Sequence, residues 1–171
     1  MGLIASAILA LVVLQRLGEL WYASRNTRAL RARGAIEFGR GHYPLMVLLH
    51  ASWLIAIAWG IARDPSVHPI PLAMLALLQA ARIWIIATLG RFWTTRIISM
   101  PGEPLVRRGP YRFVRHPNYV VVIGEVAILP LVFGQVTNAI VFSALNAVLL
   151  AWRIRQENAA LEPRRSQSSS S

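Results

Sequence analysis

Long apolar runs constrain the fold of this chain more than any other feature. A helix that crosses about 30 Å of hydrocarbon needs roughly 20 apolar residues. Three stretches reach that length: residues 2–22, 43–62 and 70–92. Residues 119–152 are also apolar, but Pro130 and Gly134 interrupt them near the middle, which predicts two shorter helices joined by a turn. The sequence therefore predicts an all-α integral membrane protein of about five transmembrane helices, the last two forming a helical hairpin.

The two ends of the chain fit this organisation. Residues 2–14 resemble the apolar core of a signal peptide, but no basic residue precedes them and no convincing cleavage site follows. We therefore expect a retained first span. Residues 1–165 form a single predicted membrane domain, and the Ser-rich residues 166–171 are expected to be a disordered tail.

Arginine supplies all eighteen basic residues, and the net charge is +11. The arginine clusters at residues 24–42 and 91–118 lie beside apolar spans, so anionic membrane lipids explain them better than nucleic acid does. The positive-inside rule places both segments in the cytosol, with the amino terminus outside and the carboxy terminus cytosolic. We expect a multi-pass protein of a bacterial inner membrane, whose oligomeric state the sequence leaves open.

The residue types and motifs that the chain lacks exclude several classes of enzyme. The chain has no cysteine, which excludes disulfides, thiolate metal sites and a catalytic thiol. It also shows neither metal-ligand spacing nor the glycine-rich loop of a soluble dinucleotide-binding fold. No metal is expected.

Residues 103–119 are too polar to span a membrane and are rich in Gly, Pro and aromatic side chains, which is typical of a binding loop. Pro117 restricts His116 toward an extended backbone, and Asn118 can cap a helix that begins near Tyr119. From the residues alone, an interfacial segment whose arginines hold lipid phosphates explains the composition equally well.

Four short motifs follow one another in this half of the chain. They are Leu105-Val106, Gly109-Pro110-Tyr111, Arg115-His116-Pro117-Asn118-Tyr119 and, after the predicted hairpin, Arg153-Ile154-Arg155-Gln156-Glu157. In this order, over about residues 79–161, the chain resembles the isoprenylcysteine carboxyl methyltransferase family. The resemblance implies a membrane methyltransferase that uses S-adenosyl-L-methionine, bound by a cytosolic loop, to methylate a carboxylate or hydroxyl of a lipophilic small-molecule acceptor.

The resemblance also implies roles for individual residues. Those that would line the cofactor pocket are Pro104, Leu105, Val106, Tyr111, His116, Pro117, Asn118, Tyr119 and Glu157. Arg153 would face the acceptor. The chain departs from the family at Val121, where a glycine is frequent, and in having no Gly- and Tyr-rich tail. From the residues alone, Arg153 and Glu157 stack on one helix face, and an ordinary surface ion pair is the favoured interpretation.

A second, weaker resemblance rests on residues nearer the amino terminus. They are Arg16, Glu19, Arg25, Asn26, Gly34, Ala35, Glu37, His42, Tyr43, Pro44 and His50. This set is similar to a bacterial subgroup of the same family that methylates long-chain alkylpyrones or alkylresorcinols. Methylation of an enolic or phenolic hydroxyl would need a base, for which the candidates are His50, Glu37 and His42.

Ionisable residues inside the predicted spans allow two interpretations. His50, Arg82 and Glu125 all fall in the cytosolic half of the membrane, where they could line a cavity for a lipid headgroup. Alternatively, Arg82 pairs with Glu125 or Glu19, and His50 bonds a neighbouring carbonyl.

Two other functions remain open from the sequence. A membrane reductase of the sterol reductase type carries a similar Arg-His-Pro-x-Tyr segment but uses NADPH. A non-catalytic lipid-binding protein would explain the arginine clusters but not the ordered motifs.

Overall fold

The structure, a computed structural model, describes residues 2–38, 41, 43–100, 106 and 108–167, with side chains described as far as residue 157. The elements are α1 (Gly2–Ala32), β1 (Ile36–Phe38), α2 (Tyr43–Arg63), α3 (Pro69–Leu89), β2 (Ile97–Ser99), α4 (Pro117–Val132) and α5 (Val136–Gln167). Short 3-10 turns occupy Gly90–Phe92 and Gly109–Arg112. Pro104, Leu105 and His42 lie outside the described residues, as do residues 168–171 of the predicted tail.

The helices confirm the predicted all-α membrane fold. Four of them, α1, α2, α3 and the Val136–Glu157 part of α5, are long and apolar enough to cross a membrane, and α4 is a shorter apolar helix. As predicted, α4 and α5 form a hairpin. Its turn contains Gly134, whose φ of 69° is a left-handed conformation that glycine adopts without strain. The second helix of the hairpin is longer than predicted, since α5 continues to Gln167.

Successive helices run in opposite directions, so the bundle has two distinct ends. We call the end that carries β1 and β2 the ribbon end. The opposite end, which carries residues 64–68 and 133–135, is the far end. At the far end the amide of His68 donates to the carbonyl of Val132 at 2.8 Å, which joins the start of α3 to the end of α4.

Helix α1 extends ten residues beyond the predicted span, which ended at Tyr22. No proline or glycine interrupts the chain between Gly18 and Gly34, so nothing stops the helix until Gly34 adopts a φ of 88°. The extension is anchored by Asn26, whose side-chain amide donates to the carbonyls of Gly90 and Trp93 at 3.1 and 2.9 Å. The end of α1 therefore supports the segment that follows α3.

A small antiparallel ribbon was not predicted. Strand β1 pairs with β2 so that Glu37 lies opposite Ile98. The Glu37 side chain, which is almost completely buried, forms ion pairs with Arg31 and with Arg96, the latter at 2.6 Å. The ribbon thus ties the segment after α1 to the segment after α3.

The apolar core lies toward the far end, where α1, α2, α3 and α4 pack together. Its members include Ala5, Val12, Trp53, Ile57, Ile61, Leu75, Val126, Leu129, Val132 and Phe133. The lipid-facing sides of the same helices expose large apolar residues, such as Leu3, Ile55 and Leu77. This distribution is expected where the surroundings are hydrocarbon and not water.

Four charged side chains connect α1, α3 and α4 inside the bundle. Arg82 of α3 forms a bidentate ion pair with Glu19, in which two N···O distances are 2.7 Å. The other terminal nitrogen of Arg82 lies 3.0 Å from a carboxylate oxygen of Glu125. Arg16 of α1 lies 3.0 Å from Glu19 and 2.7 Å from Glu125. Of the two interpretations open from the sequence, structural pairing of Arg82 is the one observed. We call these four residues the paired cluster.

Candidate functional site

A second group of polar side chains meets at the ribbon end of the hairpin. Tyr119, in the first turn of α4, donates its hydroxyl proton to a carboxylate oxygen of Glu157 on α5. Arg153, one turn before Glu157, donates Nε to the same hydroxyl at 3.0 Å. His116 Nδ1 lies 3.6 Å from the other carboxylate oxygen of Glu157. We call His116, Tyr119, Arg153 and Glu157 the tyrosine cluster.

The start of α4 orients two of these rings. Pro117 occupies the first helical position, where its missing N–H and fixed φ are tolerated, and His116 precedes it as the N-cap residue. The rings of His116 and Tyr119 stack with their centroids 5.2 Å apart and their planes inclined by 22°. The Arg-His-Pro-Asn-Tyr motif is therefore a helix start that presents a stacked pair of rings.

The expected helix cap at Asn118 is wrong, because α4 begins one residue before it. Asn118 lies inside the first turn, and its Oδ1 is buried with no hydrogen-bond partner among the described residues. A buried acceptor without a partner costs free energy unless a ligand or water donates to it. This atom is therefore available to a ligand that carries an N–H or O–H group.

Tyr111 packs beside this helix start, in the 3-10 turn Gly109–Arg112. Its ring contacts a buried cluster that includes Ile85, Trp93 and Val121. Burial raises the pKa of the Tyr111 phenol above its usual value, and the negative charge of Glu157 raises that pKa further. The phenol therefore stays protonated and can donate a hydrogen bond. Val121, where the family often has glycine, is part of the surface that holds Tyr111.

Arg153 connects the hairpin to the segment between α3 and β2. Besides its bond to Tyr119, it donates a terminal nitrogen to the carbonyl of Thr95 at 2.8 Å. Arg153 and Glu157 form no direct ion pair in the described part of the chain, since both bond the hydroxyl of Tyr119 instead. The ordinary surface pair considered from the sequence is therefore not what the structure shows.

His50 lies deeper in the bundle, on α2. Its Nδ1 is 2.8 Å from the carbonyl oxygen of Met46. Because a carbonyl only accepts, Nδ1 carries the hydrogen, and Nε2 of the neutral ring is left as an acceptor. The ring meets that of Trp53 edge-on, with centroids 6.1 Å apart. The expected bond to a neighbouring carbonyl is confirmed, and it leaves the other nitrogen available.

The structure thus brings together most of the residues singled out in the sequence. Tyr111, His116, Pro117, Asn118, Tyr119, Arg153 and Glu157 gather at the ribbon end, and Val106 is half-buried in the segment that leads to them. His50 stands apart from the tyrosine cluster, about 10 Å along α2 from Tyr43 at 1.5 Å per residue. Thr95 was not singled out, because its contribution is a backbone carbonyl, which the sequence does not reveal.

A bundle of long apolar helices with a polar cluster at one end is the architecture of a multi-pass membrane protein. The model of the isoprenylcysteine carboxyl methyltransferase (ICMT) family matches residues 71–163, just over half of the chain. The chain belongs to this family. Its members are membrane methyltransferases that use S-adenosyl-L-methionine. The tyrosine cluster lies within the matched residues, whereas His50 and α1 lie before them.

Two bacterial relatives match over almost the whole chain. The uncharacterized protein YpbQ of Bacillus subtilis is 38% identical over 159 residues, which are 91% of this chain and 95% of the relative. An uncharacterized protein of Haemophilus influenzae is 29% identical over 157 residues, 89% of this chain and 91% of the relative. No solved structure matches the chain significantly. The similarity therefore includes α1 and α2, which precede the family match.

Proposed function

We propose that the protein is an S-adenosyl-L-methionine-dependent O-methyltransferase that acts on a lipophilic acceptor held in the membrane. The observation that carries the proposal is the tyrosine cluster. It joins the Arg-His-Pro-Asn-Tyr motif on α4 to the Arg-x-x-x-Glu motif on α5, through hydrogen bonds from Arg153 to Tyr119 and from Tyr119 to Glu157. Two motifs separated along the sequence meet here, in a chain that belongs to a methyltransferase family.

The residues present fit the proposed cofactor. The unpartnered Oδ1 of Asn118 suits an amino group, and the carboxylate of Glu157 suits ribose hydroxyls or an ammonium group. The rings of His116 and Tyr119 offer a stacked aromatic surface, and the phenol of Tyr111 offers a donor. Pro104, Leu105, Val106 and Pro117 complete the proposed pocket by the family resemblance. When bound, the cofactor supplies an electrophilic methyl group on a sulfonium.

Methyl transfer does not require the protein to form a covalent bond with the acceptor or the cofactor. An oxygen of the acceptor attacks the methyl carbon in line, so that a C–O bond forms while the S–C bond breaks and a neutral thioether leaves. Because opposite charges cancel during this step, a site that excludes water and aligns the two atoms supplies most of the catalysis. No metal is required.

Arg153 is the proposed acceptor-orienting residue. Its Nε is used by Tyr119 and one terminal nitrogen by the carbonyl of Thr95, which fixes the plane of the guanidinium. The other terminal nitrogen remains for an oxygen of the acceptor, and the positive charge favours the anionic form of that oxygen.

A hydroxyl acceptor must also lose its proton, and His50 is the proposed proton acceptor. The bond from Nδ1 to Met46 fixes the tautomer, so Nε2 carries a free lone pair. This arrangement favours an enolic or phenolic hydroxyl on a long aliphatic chain, in line with the weaker resemblance to the alkylpyrone and alkylresorcinol subgroup. A carboxylate acceptor, already ionised, would need no such base.

The ribbon end is the proposed cytosolic end. It carries arginines at the end of α1 and around the 3-10 turn Gly109–Arg112, whereas the turn between α2 and α3 at the far end carries only Arg63 and Asp64. The positive-inside rule then puts the tyrosine cluster on the side where the soluble cofactor is made. The lipophilic acceptor would enter the bundle sideways, from the surrounding hydrocarbon.

Binding of S-adenosylhomocysteine, the demethylated product, tests the proposal directly. We expect the purified protein to bind it with low-micromolar or tighter affinity by calorimetry and to be stabilised against heat. Radiolabelled S-adenosyl-L-methionine, incubated with the protein and a lipid extract of the host, should then label a lipophilic product. Absence of both binding and labelling would overturn the proposal, and stabilisation by NADPH alone would favour the reductase.

A further inference from the structure

One side of a segment at the ribbon end has no role in the proposed reaction. The segment comprises residues 108–115, and we call it the basic turn. It contains the 3-10 turn Gly109–Arg112 and leads directly into His116. Phe113 is 77% exposed and Val114 is 45% exposed, although both are large apolar residues. We call these two residues the apolar pair. Because the described part of the bundle leaves the apolar pair uncovered, packing inside the protein does not explain it.

Arginines accompany the apolar pair. The guanidinium carbon of Arg112 lies 5.8 Å from the centroid of the Phe113 ring. Arg112 and Arg115 are both exposed, and neither belongs to an ion pair in the described part of the chain. No acidic residue occurs between Glu103 and Glu125 in the sequence. The positive charges are therefore not neutralised within the basic turn and are available to an anionic partner.

The other side of the basic turn is held against the bundle. Tyr111 packs in the buried cluster that contains Trp93. Gly109 has a φ of 57° and lies so close to α3 that a Cβ at this position would be 2.6 Å from Oγ1 of Thr88. The basic turn therefore has a buried side, which carries Tyr111, and an exposed side, which carries the apolar pair.

The start of α4 gives the level of the basic turn relative to the membrane. Helix α4 begins at Pro117, three residues after Val114, and exposes Val120 and Ile123. Because α4 is an apolar helix of the bundle, these exposed side chains face hydrocarbon. The apolar pair therefore lies near the level where the lipid-facing surface of α4 meets the headgroup region. At this level an apolar side chain can enter the boundary between headgroups and acyl chains while an arginine beside it contacts phosphate.

We propose that the basic turn is a membrane anchor that binds anionic phospholipids of the leaflet at the ribbon end. Phe113 and Val114 insert between the headgroups, and Arg112 and Arg115 bind the headgroup phosphates. A segment of this composition binds anionic membranes through apolar burial and electrostatic attraction together. Neutral phospholipids offer the apolar contact but no net negative charge.

Anchoring also has a consequence for the candidate site. The basic turn carries Tyr111 on its buried side and is followed directly by His116, and both residues belong to the proposed cofactor pocket. A turn that is fixed at the membrane surface loses less conformational freedom when the cofactor binds. We therefore expect anionic lipid to raise the affinity for S-adenosylhomocysteine. This consequence rests on the proposed function, whereas the anchoring does not.

Insertion is tested with a single fluorescent label, which the absence of cysteine from the chain allows. Full-length Phe113→Cys is labelled in nanodiscs that contain phosphatidylglycerol and a lipid with a nitroxide quencher just below the headgroup. Val114→Cys, which keeps Phe113, repeats the measurement. Ala32→Cys is the matched control, because Ala32 is exposed at the same end but lies about 15 Å beyond the predicted first span. Quenching at the apolar pair should be at least about threefold stronger than at Ala32.

Lipid dependence is measured as the affinity for S-adenosylhomocysteine in nanodiscs of phosphatidylcholine alone or mixed with phosphatidylglycerol. Wild type should bind about threefold to tenfold more tightly with the anionic lipid, and added salt should reduce the difference. Arg112→Gln/Arg115→Gln should lose most of this difference while matching wild type in phosphatidylcholine. Arg25→Gln/Arg28→Gln is the matched control, since it removes the same charge from exposed positions of α1, and it should keep the difference.

The outcomes separate the anchor from the proposed function. Quenching at Phe113 and Val114 that is no stronger than at Ala32 overturns the anchor, whatever the affinity for S-adenosylhomocysteine. If both labels are quenched but the two double variants respond alike to the anionic lipid, the binding of phosphates by Arg112 and Arg115 is overturned. Equal affinity of wild type in both lipids overturns the effect on the candidate site. If wild type binds no S-adenosylhomocysteine in either lipid, the proposed function fails, and quenching alone decides the anchor.

Discussion

The bundle contains two polar clusters that look alike in the sequence and differ in the structure. In the paired cluster, Arg16 and Arg82 balance Glu19 and Glu125, and each charge has a partner of opposite sign. In the tyrosine cluster, the bonds converge on one hydroxyl, and the side chains of His116 and Glu157 stay 18% and 24% exposed. The first cluster joins three helices, and its members other than Arg16 are 9% exposed or less, whereas the second cluster is partly exposed.

Breaking the paired cluster should give the largest effect. Arg82→Ala leaves Glu19 and Glu125 buried with less compensation, and loss of one member of a buried pair costs about 3–5 kcal/mol. We expect a large drop in the unfolding temperature in detergent, or loss of folded protein. The exposed residue Arg25 provides the control, because Arg25→Ala should change the unfolding temperature little. A variant of Arg82 with normal stability would show that the cluster does not hold the helices together.

Breaking the tyrosine cluster at Arg153 should affect turnover more than stability. Arg153→Lys keeps the positive charge but loses the planar guanidinium that donates to Tyr119 and Thr95 at the same time. Arg153→Ala loses both the charge and these donors. We expect kcat to fall by about 100-fold in the alanine variant, which corresponds to about 2.7 kcal/mol. Affinity for S-adenosylhomocysteine should change little. If binding falls in step with turnover, Arg153 belongs to the cofactor site and not to the acceptor site.

The smallest of the three effects is expected for Glu157, and it should be a loss of affinity for S-adenosylhomocysteine. Glu157→Ala removes the carboxylate that Tyr119 bonds, so affinity for S-adenosylhomocysteine should fall by about tenfold, or about 1.4 kcal/mol. The exposed neighbour Gln156 is a matched control, since Gln156→Ala changes the same helix end without touching the cluster. If calorimetry gives the two variants the same affinity for S-adenosylhomocysteine, Glu157 does not belong to the cofactor pocket.

The fold was predictable where apolar length alone decides the structure. The spans and the hairpin follow from the apolar runs and from the break at Pro130 and Gly134. The ribbon could not be predicted, because three-residue strands show no periodicity. The extension of α1 was not predicted, because an arginine-rich segment beside a span is typical of a loop, although polar residues without Pro or Gly continue a helix well.

The candidate site was predictable only in part. The motif order implied a common site for His116, Tyr119, Arg153 and Glu157, and the structure brings them together. The unpartnered Oδ1 of Asn118 could not be deduced, because only the structure shows which buried polar atoms lack a hydrogen-bond partner. Likewise, the sequence offered either Glu19 or Glu125 as the partner of Arg82, and the structure uses both.

The shortness of α4 has a consequence for the membrane itself. Its 16 residues extend about 24 Å, roughly 6 Å less than the hydrocarbon thickness that neighbouring helices such as α3 can cover. A bilayer adapts to a short apolar helix by thinning beside it. Since α4 begins at Pro117, next to the tyrosine cluster, the thinning is expected beside the candidate site. A lipid with a small headgroup would settle more deeply there than a phospholipid, so the shape of the bilayer itself would help to select the acceptor.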